Sequence, residues 1–300
     1  MSYSPQTLIN LIIGDPVEHS LSPKLQNYFY QKLQVPDKYV FLASRVGKIF
    51  LPQAVAACNA LGINGLAITI PHKISILKLL DKIDPVATQI GAVNTVVNHH
   101  GVLIGYNTDY LGVLIPLLKI YQKLNYPLSE IQNFFADKQT NFDWLDIRKL
   151  PVINPGSFLK GKKVAVIGAG GAGRGASYAV LKSGAELTIF NRTIDNANHL
   201  SAEFSQKFNT SVSFRSLENL NLLYDFDIVI NTASNELTDN QILISKSDIN
   251  ANQVIFDTVY KPGGTDLNRI ALEEGAKVIY GQEMLFWQGV YQCKYHLRID

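Results

Sequence analysis

Three hundred residues, 47% of them apolar, exceed what one hydrophobic core usually holds and predict two α/β domains with ample material to fill both. Charged residues make up 17% of the chain and leave a formal net charge of +2, which argues against nucleic acid or an acidic membrane surface as partner while keeping small anions open. Only Cys58 and Cys293 occur, both in helical apolar patterns, and the opening M-S-Y-S-P-Q-T lacks a basic signal region. No disulfide framework, no membrane span and a reducing cytoplasm are therefore expected.

Residues 8–13 form a short apolar strand that Gly14, Asp15 and Pro16 end. In the following His19-Ser20-Leu21-Ser22-Pro23, Ser22 suits the cap of a helix with Pro23 at its first position and Leu25, Tyr28, Phe29 and Leu33 on one face. Capping explains Ser22 but not Ser20; two hydroxyls at a strand-to-helix corner can both donate to one carboxylate. A strand over 38–42, a helix over 49–61 and a strand over 66–70 continue a βαβα order that favours a largely parallel sheet. The third strand runs into Thr69-Ile70-Pro71-His72-Lys73, and ligands of open α/β sheets sit beyond the carboxyl ends of strands, which makes Lys73 a candidate against the plain reading of a solvated lysine. His72 has no companion at metal-ligand spacing.

Residues 91–98 read as a strand that turns at His99, His100 and Gly101 and returns over 102–106 to Asn107-Thr108-Asp109. Asp109 opens an apolar helix over 111–118, either as a first-turn carboxylate or as a group held near Lys73. Residues 121–158 hold Tyr121, Tyr126, Phe134, Phe135, Phe142 and Trp144 among prolines and charges, and read as an extended connection: a surface excursion, packing at a domain junction or a dimer contact.

A strand over 164–167 then meets a glycine-rich turn and a helix running to about Leu181, with a second strand over 186–190. Gly168, Gly170 and Gly171 remove side chains that would keep a phosphate from the backbone N–H groups at a helix N-terminus. A tight turn in an α/β domain is the plain alternative. The second strand ends not in Asp or Glu but in Asn191-Arg192-Thr193, which suits a 2′-phosphate and hence NADP over NAD; Thr193 also suits the cap of a helix running to about Phe208.

H-S-L-S-P at 19–23, I-P-H-K at 70–73, I-G-A-V-N-T at 90–95, Y-N-T-D at 106–109, G-A-G-G-A at 168–172, N-R-T at 191–193, D-T-V-Y-K-P-G-G-T at 257–265 and G-Q-E-M-L-F-W-Q-G at 281–289 together resemble the shikimate dehydrogenase family, in the family's order and over all but about 121–158. The resemblance implies an α/β substrate-binding domain (1–118 with 281–300), a connection (119–160) and a Rossmann NADP-binding domain (161–280). It implies reversible hydride transfer between NADPH and the ring carbonyl of 3-dehydroshikimate; no metal is expected, since a proton donor can quench the alkoxide and ligands at zinc spacing are absent, and a monomer or a homodimer both stay open. Ser20 and Ser22 would hold the substrate carboxylate, with Thr69, Asn94, Tyr260 and Gln288 lining the rest of its pocket. Lys73 would be the acid/base group and Asp109 its partner, touching a ring hydroxyl. Gly168, Ala169, Gly170, Gly171, Ala172, Asn191, Arg192, Thr193, Thr258 and Gly281 would bind the cofactor. Three positions depart from the family: Ala67 stands where an Asn is usual, Tyr110 where a Gly follows the Asp, and Asn196 where a second Arg often grips the 2′-phosphate. Ala67 and Tyr110 leave room for a paralogue acting on quinate or another polyhydroxy ring acid, and Asn196 leaves Arg192 with more of the charge on the 2′-phosphate; a nucleotide-binding regulator without turnover is the reading from another class.

Overall fold

Short β-branched runs closed by glycine or proline give the strands of the first half, and the computed structural model, described over residues 3–150, 152–233, 244–261 and 264–299, shows how they pair. The chain divides into two compact units. The first comprises Met1–Thr108, Asn141–Pro151 and Phe286–Asp300. It holds β1 (Leu8–Gly14), α1 (Ser22–Lys32), β2 (Tyr39–Arg45), α2 (Leu51–Ala60), β3 (Gly65–Ile68), β4 (Lys82–Ile83), α3 (Pro85–Ile90), β5 (Thr95–His99) and β6 (Val102–Tyr106). The sheet order is β2-β1-β3-β5-β6-β4. β2, β1 and β3 run parallel, joined by crossovers through α1 and α2, whereas β5 lies antiparallel to both β3 and β6. Ile13, Leu51, Val55, Leu66, Ile68, Ile76 and Val93 belong to one buried cluster of this unit. The β5–β6 hairpin turns on His100 (φ 52°) and Gly101 (φ 90°), two left-handed residues that match the twist of the flanking strands.

Local chemistry shifts three expected features of this unit. The strand expected over 91–98 begins only at Thr95, because Asp84 caps α3 by accepting from the Val86 and Ala87 N–H groups and Gly91, at φ 71°, closes that helix. β3 stops at Ile68, short of residue 70, since the Thr69 carbonyl accepts instead from the His72 N–H in a turn. Ser22 is the first residue of α1 rather than its cap, and Ser20 Oγ accepts from the Ser22 N–H at 3.3 Å.

The second unit comprises Asp109–Thr140 and Val152–Leu285. It holds α4 (Asp109–Ile120), α5 (Leu128–Phe135), β7 (Lys163–Ile167), α6 (Gly171–Lys182), β8 (Glu186–Asn191), α7 (Ile194–Phe208), β9 (Ser213–Ser216), β10 (Ile228–Asn231), β11 (Val254–Asp257), α8 (Asp266–Glu273), β12 (Lys277–Ile279) and the start of α9 (Gly281–His296). Its strands run all parallel in the order β12-β11-β10-β7-β8-β9, the doubly wound dinucleotide-binding arrangement. α4, apolar nearly all round, packs on α6, where a Cβ on Gly175 would lie 3.0 Å from the Asp109 Cβ. From Phe286 onward α9 belongs to the first unit.

Residues 119–160 are divided between the units, and three of their aromatic side chains, Tyr126, Phe134 and Phe142, are buried. In the first unit Phe142 is fully buried, its ring 5.5 Å from Tyr28 and 4.8 Å from Phe286. Arg148 donates to the Leu33 carbonyl at 3.1 Å. In the second, Tyr126, Ile131 and Phe134 are buried.

Candidate active site

The substrate-side candidates of the first unit gather at the carboxyl ends of its parallel strands. A Cβ at Gly14, the last residue of β1, would run into the Thr69 methyl group and lie 2.7 Å from the Ile70 carbonyl, so the ends of β1 and β3 meet only because this residue is glycine. Half-buried Lys73 follows β3, and its carbonyl accepts from the Val93 N–H at 2.8 Å, tying it to the run that leads into Asn94. The preceding His72 is fully buried, with Nε2 2.6 Å from the Val46 carbonyl, and therefore donates there as a structural side chain.

Asn94, 1% exposed, is a junction. Its Nδ2 donates to Thr108 Oγ1 at 2.9 Å and to Gln288 Oε1 at 3.3 Å, while its Oδ1 accepts from the Thr108 N–H at 2.8 Å and the Thr95 hydroxyl at 2.9 Å. One turn beyond Gln288, Gln292 donates to the Asn94 carbonyl at 3.1 Å and to Thr95 Oγ1 at 3.0 Å. Asn94 thus spends much of its hydrogen-bonding capacity inside the protein, and it orients Gln288. Thr95, Thr108 and Gln292 were not singled out from the sequence; the two glutamines at helical i, i+4 spacing were the available signal.

The second unit carries the cofactor-side candidates. Gly168 has φ 111°, and a Cβ there would lie 2.6 Å from Thr232 Oγ1, which itself donates to the Ile167 carbonyl at 2.8 Å. A Cβ on Gly173 would land on the Gly168 carbonyl, so this glycine, unnoticed in the sequence, lets α6 settle onto the turn. Gly170 is the N-cap of α6, no side chain caps it, and no acidic residue occupies the first turn, which leaves an electropositive helix end of Gly171 and Ala172 bare for an anion. Asn191 Oδ1 accepts from the Ala169 N–H at 3.2 Å and Asn191 Nδ2 donates to the Thr193 carbonyl at 2.8 Å, so the end of β8 braces the turn. Thr193 is the N-cap of α7 without a side-chain cap bond, and Arg192 beside it is exposed. These residues fit a dinucleotide with a phosphorylated ribose.

At the end of β11, buried Asp257 accepts from Asn231 Nδ2 at 3.0 Å, the Val259 N–H at 3.2 Å and the Thr265 hydroxyl at 2.5 Å. Burial pushes its carboxyl up, and these three donors offset that. The network holds the loop bearing Thr258 and Tyr260. Gly281, at the start of α9, lies against that loop: a Cβ there would be 2.6 Å from the Thr258 carbonyl. Asp109, 3% exposed, opens α4 in this unit, so Lys73 and Asp109 belong to different units, as do Tyr260 and the other substrate-side candidates. Tyr110, the bulky departure, packs edge-on against Tyr178 with ring centroids 5.3 Å apart, which places its bulk on α6. Ala67 sits inside β3 between Ile12 and Thr95.

A family model for the shikimate dehydrogenase substrate-binding domain matches residues 12–96, and one for shikimate / quinate 5-dehydrogenase matches residues 154–258. An NADP(+) shikimate dehydrogenase of Nitrosopumilus maritimus is 35% identical over 281 residues, covering 93% of this chain and 89% of the relative. The chain belongs to the shikimate dehydrogenase family. Its fold agrees with solved members: a shikimate dehydrogenase in complex with NADP+ superposes with TM-score 0.79 at 31% identity over 100% of this chain and 93% of the other. The Thermus thermophilus enzyme in complex with NADP(H) and shikimate gives 0.74 at 27% identity, over 97% and 93%. As in those members, an N-terminal substrate-domain fold is followed by a Rossmann-like one. Among the described residues no group of His, Cys, Asp and Glu is arranged to hold a metal ion, and no helix is long and apolar enough to cross a membrane.

Proposed function

We propose that this member of the family catalyses the reversible, NADP-dependent reduction of 3-dehydroshikimate to shikimate. The observation that carries the reading is Lys73: it follows β3 as a half-buried ammonium, and the other substrate-side candidates around that sheet end, Ser20, Ser22, Thr69, Asn94 and Gln288, are neutral hydroxyls and amides. The cofactor supplies a hydride to the carbonyl carbon when bound. Gly168 to Ala172 would hold its pyrophosphate and Asn191 to Thr193 its 2′-phosphate, with Thr258 and Gly281 at its border. Lys73 Nζ delivers the proton that the carbonyl oxygen needs as it becomes an alcohol, and takes it back in the reverse direction. Ser20 and Ser22 donate to the ring carboxylate, and Gln288 is set by Asn94. Asp109 and Tyr260, both of the second unit, take the substrate roles that the family resemblance implies for them. Work in a reducing cytoplasm suits Cys58 and Cys293, both free and buried.

A second reading takes quinate as substrate, and buried Ala67 favours it because the smaller side chain frees space in the strand that leads to Thr69. Quinate adds a hydroxyl beside the carboxylate, and a pocket built for shikimate leaves that hydroxyl clashing or without a partner, at a cost of about 1–3 kcal/mol. Steady-state oxidation of both compounds with NADP and with NAD tests this. A kcat/KM for shikimate at least about tenfold above that for quinate is expected. Equal efficiency replaces the first reading by the second.

A further inference from the structure

The segment between α4 and β7 has no task in the proposed reaction, yet it sends one side chain into the start of α9. Tyr126 and Glu283 are 5% and 3% exposed, and the Tyr126 hydroxyl donates to Glu283 Oε2 at 2.6 Å. The other carboxylate oxygen accepts from the Tyr280 N–H at 3.4 Å, so Glu283 folds back over the N-terminus of its own helix. A first-turn carboxylate there complements the partial positive charge of unpaired N–H groups. The Lys119 ammonium, from the end of α4, stands 5.1 Å from the centroid of the Tyr126 ring. Two residues before Glu283, Gly281 has no room for a side chain, since a Cβ would lie 2.5 Å from the Val259 carbonyl oxygen and 2.6 Å from that of Thr258. The first turn of α9 therefore rests directly on the Thr258–Val259 backbone, whose Val259 N–H is held by Asp257 at 3.2 Å.

We propose that Tyr126 is a positioning residue for the cofactor site: by donating to Glu283 it fixes the first turn of α9 and so the seating of Gly281 on Thr258. This rests on the reading that Thr258 and Gly281 border bound NADP. Burial pushes the Glu283 carboxyl up, and the Tyr126 hydroxyl, the Lys119 charge and the Tyr280 N–H pull it back. Without the hydroxyl the buried carboxylate loses its shortest donor and must reach water or take a proton. Either response moves the turn that carries Gly281.

Tyr126→Phe keeps the ring and deletes only the hydroxyl. NADPH affinity, measured by fluorescence titration, is expected to fall about tenfold, while KM for shikimate moves less than about twofold. In that variant the affinity falls further as pH rises, because the deprotonated carboxylate is the form lacking a donor. Tyr126→Phe with Glu283→Gln, which removes the buried charge, recovers most of the loss. Unchanged NADPH affinity in a folded Tyr126→Phe overturns the proposal, as does a loss that Glu283→Gln leaves uncorrected. If Tyr126→Phe does not fold, Glu283→Ala decides: the same loss supports the proposal and wild-type affinity refutes it. The readout is nucleotide binding, so absence of shikimate turnover in the wild type counts against the proposed reaction and leaves this result standing.

Discussion

His296, at the end of α9, is fully buried, and among the described residues neither ring nitrogen has a partner in hydrogen-bond geometry. Burial pulls its pKa from the ordinary 6.5 down to about 4, and the nearby Leu66 and Val96 backbone offsets this only in part. The unfolded chain takes up a proton below pH 6.5 that the folded protein refuses until about pH 4, so stability is intact above the first value and drains as pH falls towards the second. The gap corresponds to about 3 kcal/mol when complete, of which about 2 kcal/mol is lost between about pH 7 and pH 5, before most carboxylates titrate. Replacing the imidazole by a side chain of similar volume, His296→Leu, should flatten that limb even if it costs some stability at neutral pH. Urea unfolding at both pH values, for wild type and variant, isolates the difference. An equal loss in the two proteins would refute the reasoning, as would an imidazole resonance titrating near 6.5 in the folded enzyme.

Arg192→Ala should weaken NADPH by roughly 1.5–3 kcal/mol and NADH much less, as a lost charge-assisted hydrogen bond would; equal losses remove Arg192 from 2′-phosphate recognition. Gly173→Ala puts a methyl onto the Gly168 carbonyl, so α6 must back away from the turn, and NADPH Kd should rise at least about tenfold, with wild-type Kd contradicting the account of the turn. Lys73→Ala should lower kcat by at least about a hundredfold with KM for shikimate changed much less, and near-normal kcat would exclude it as the proton donor.

The glycine turn was legible in the sequence because it asks for something few residues supply, φ 111° at Gly168, whereas the close approach at Gly173 depends on how α6 settles onto the turn. The alternation of strands and helices was legible for the same kind of reason, since periods of 2 and 3.6 are written locally. α3 was missed because six residues carry too little periodicity, although Asp84-Pro85 is a cap followed by a first-turn proline. That Ser20, not Ser22, accepts from the entry of α1 is not written in the sequence, because a hydrogen bond between neighbours depends on which backbone enters the helix. The surroundings of Phe142 and Tyr126 stay open in the sequence because an aromatic in a loop has no face to its pattern; their burial depends on Tyr28, Phe286 and Glu283, each far away in the chain. The load on Asn94 was hidden likewise, since Gln288 and Gln292 reach it across almost two hundred residues.

Incubating the purified protein with 3-dehydroshikimate and NADPH, while following the nicotinamide absorbance and identifying the product, tests the central claim most directly. Stoichiometric NADPH consumption with shikimate as product, abolished by Lys73→Ala, is the predicted result. Tight NADPH binding without turnover of 3-dehydroshikimate would contradict it and make this chain a nucleotide-binding protein on an enzyme's scaffold.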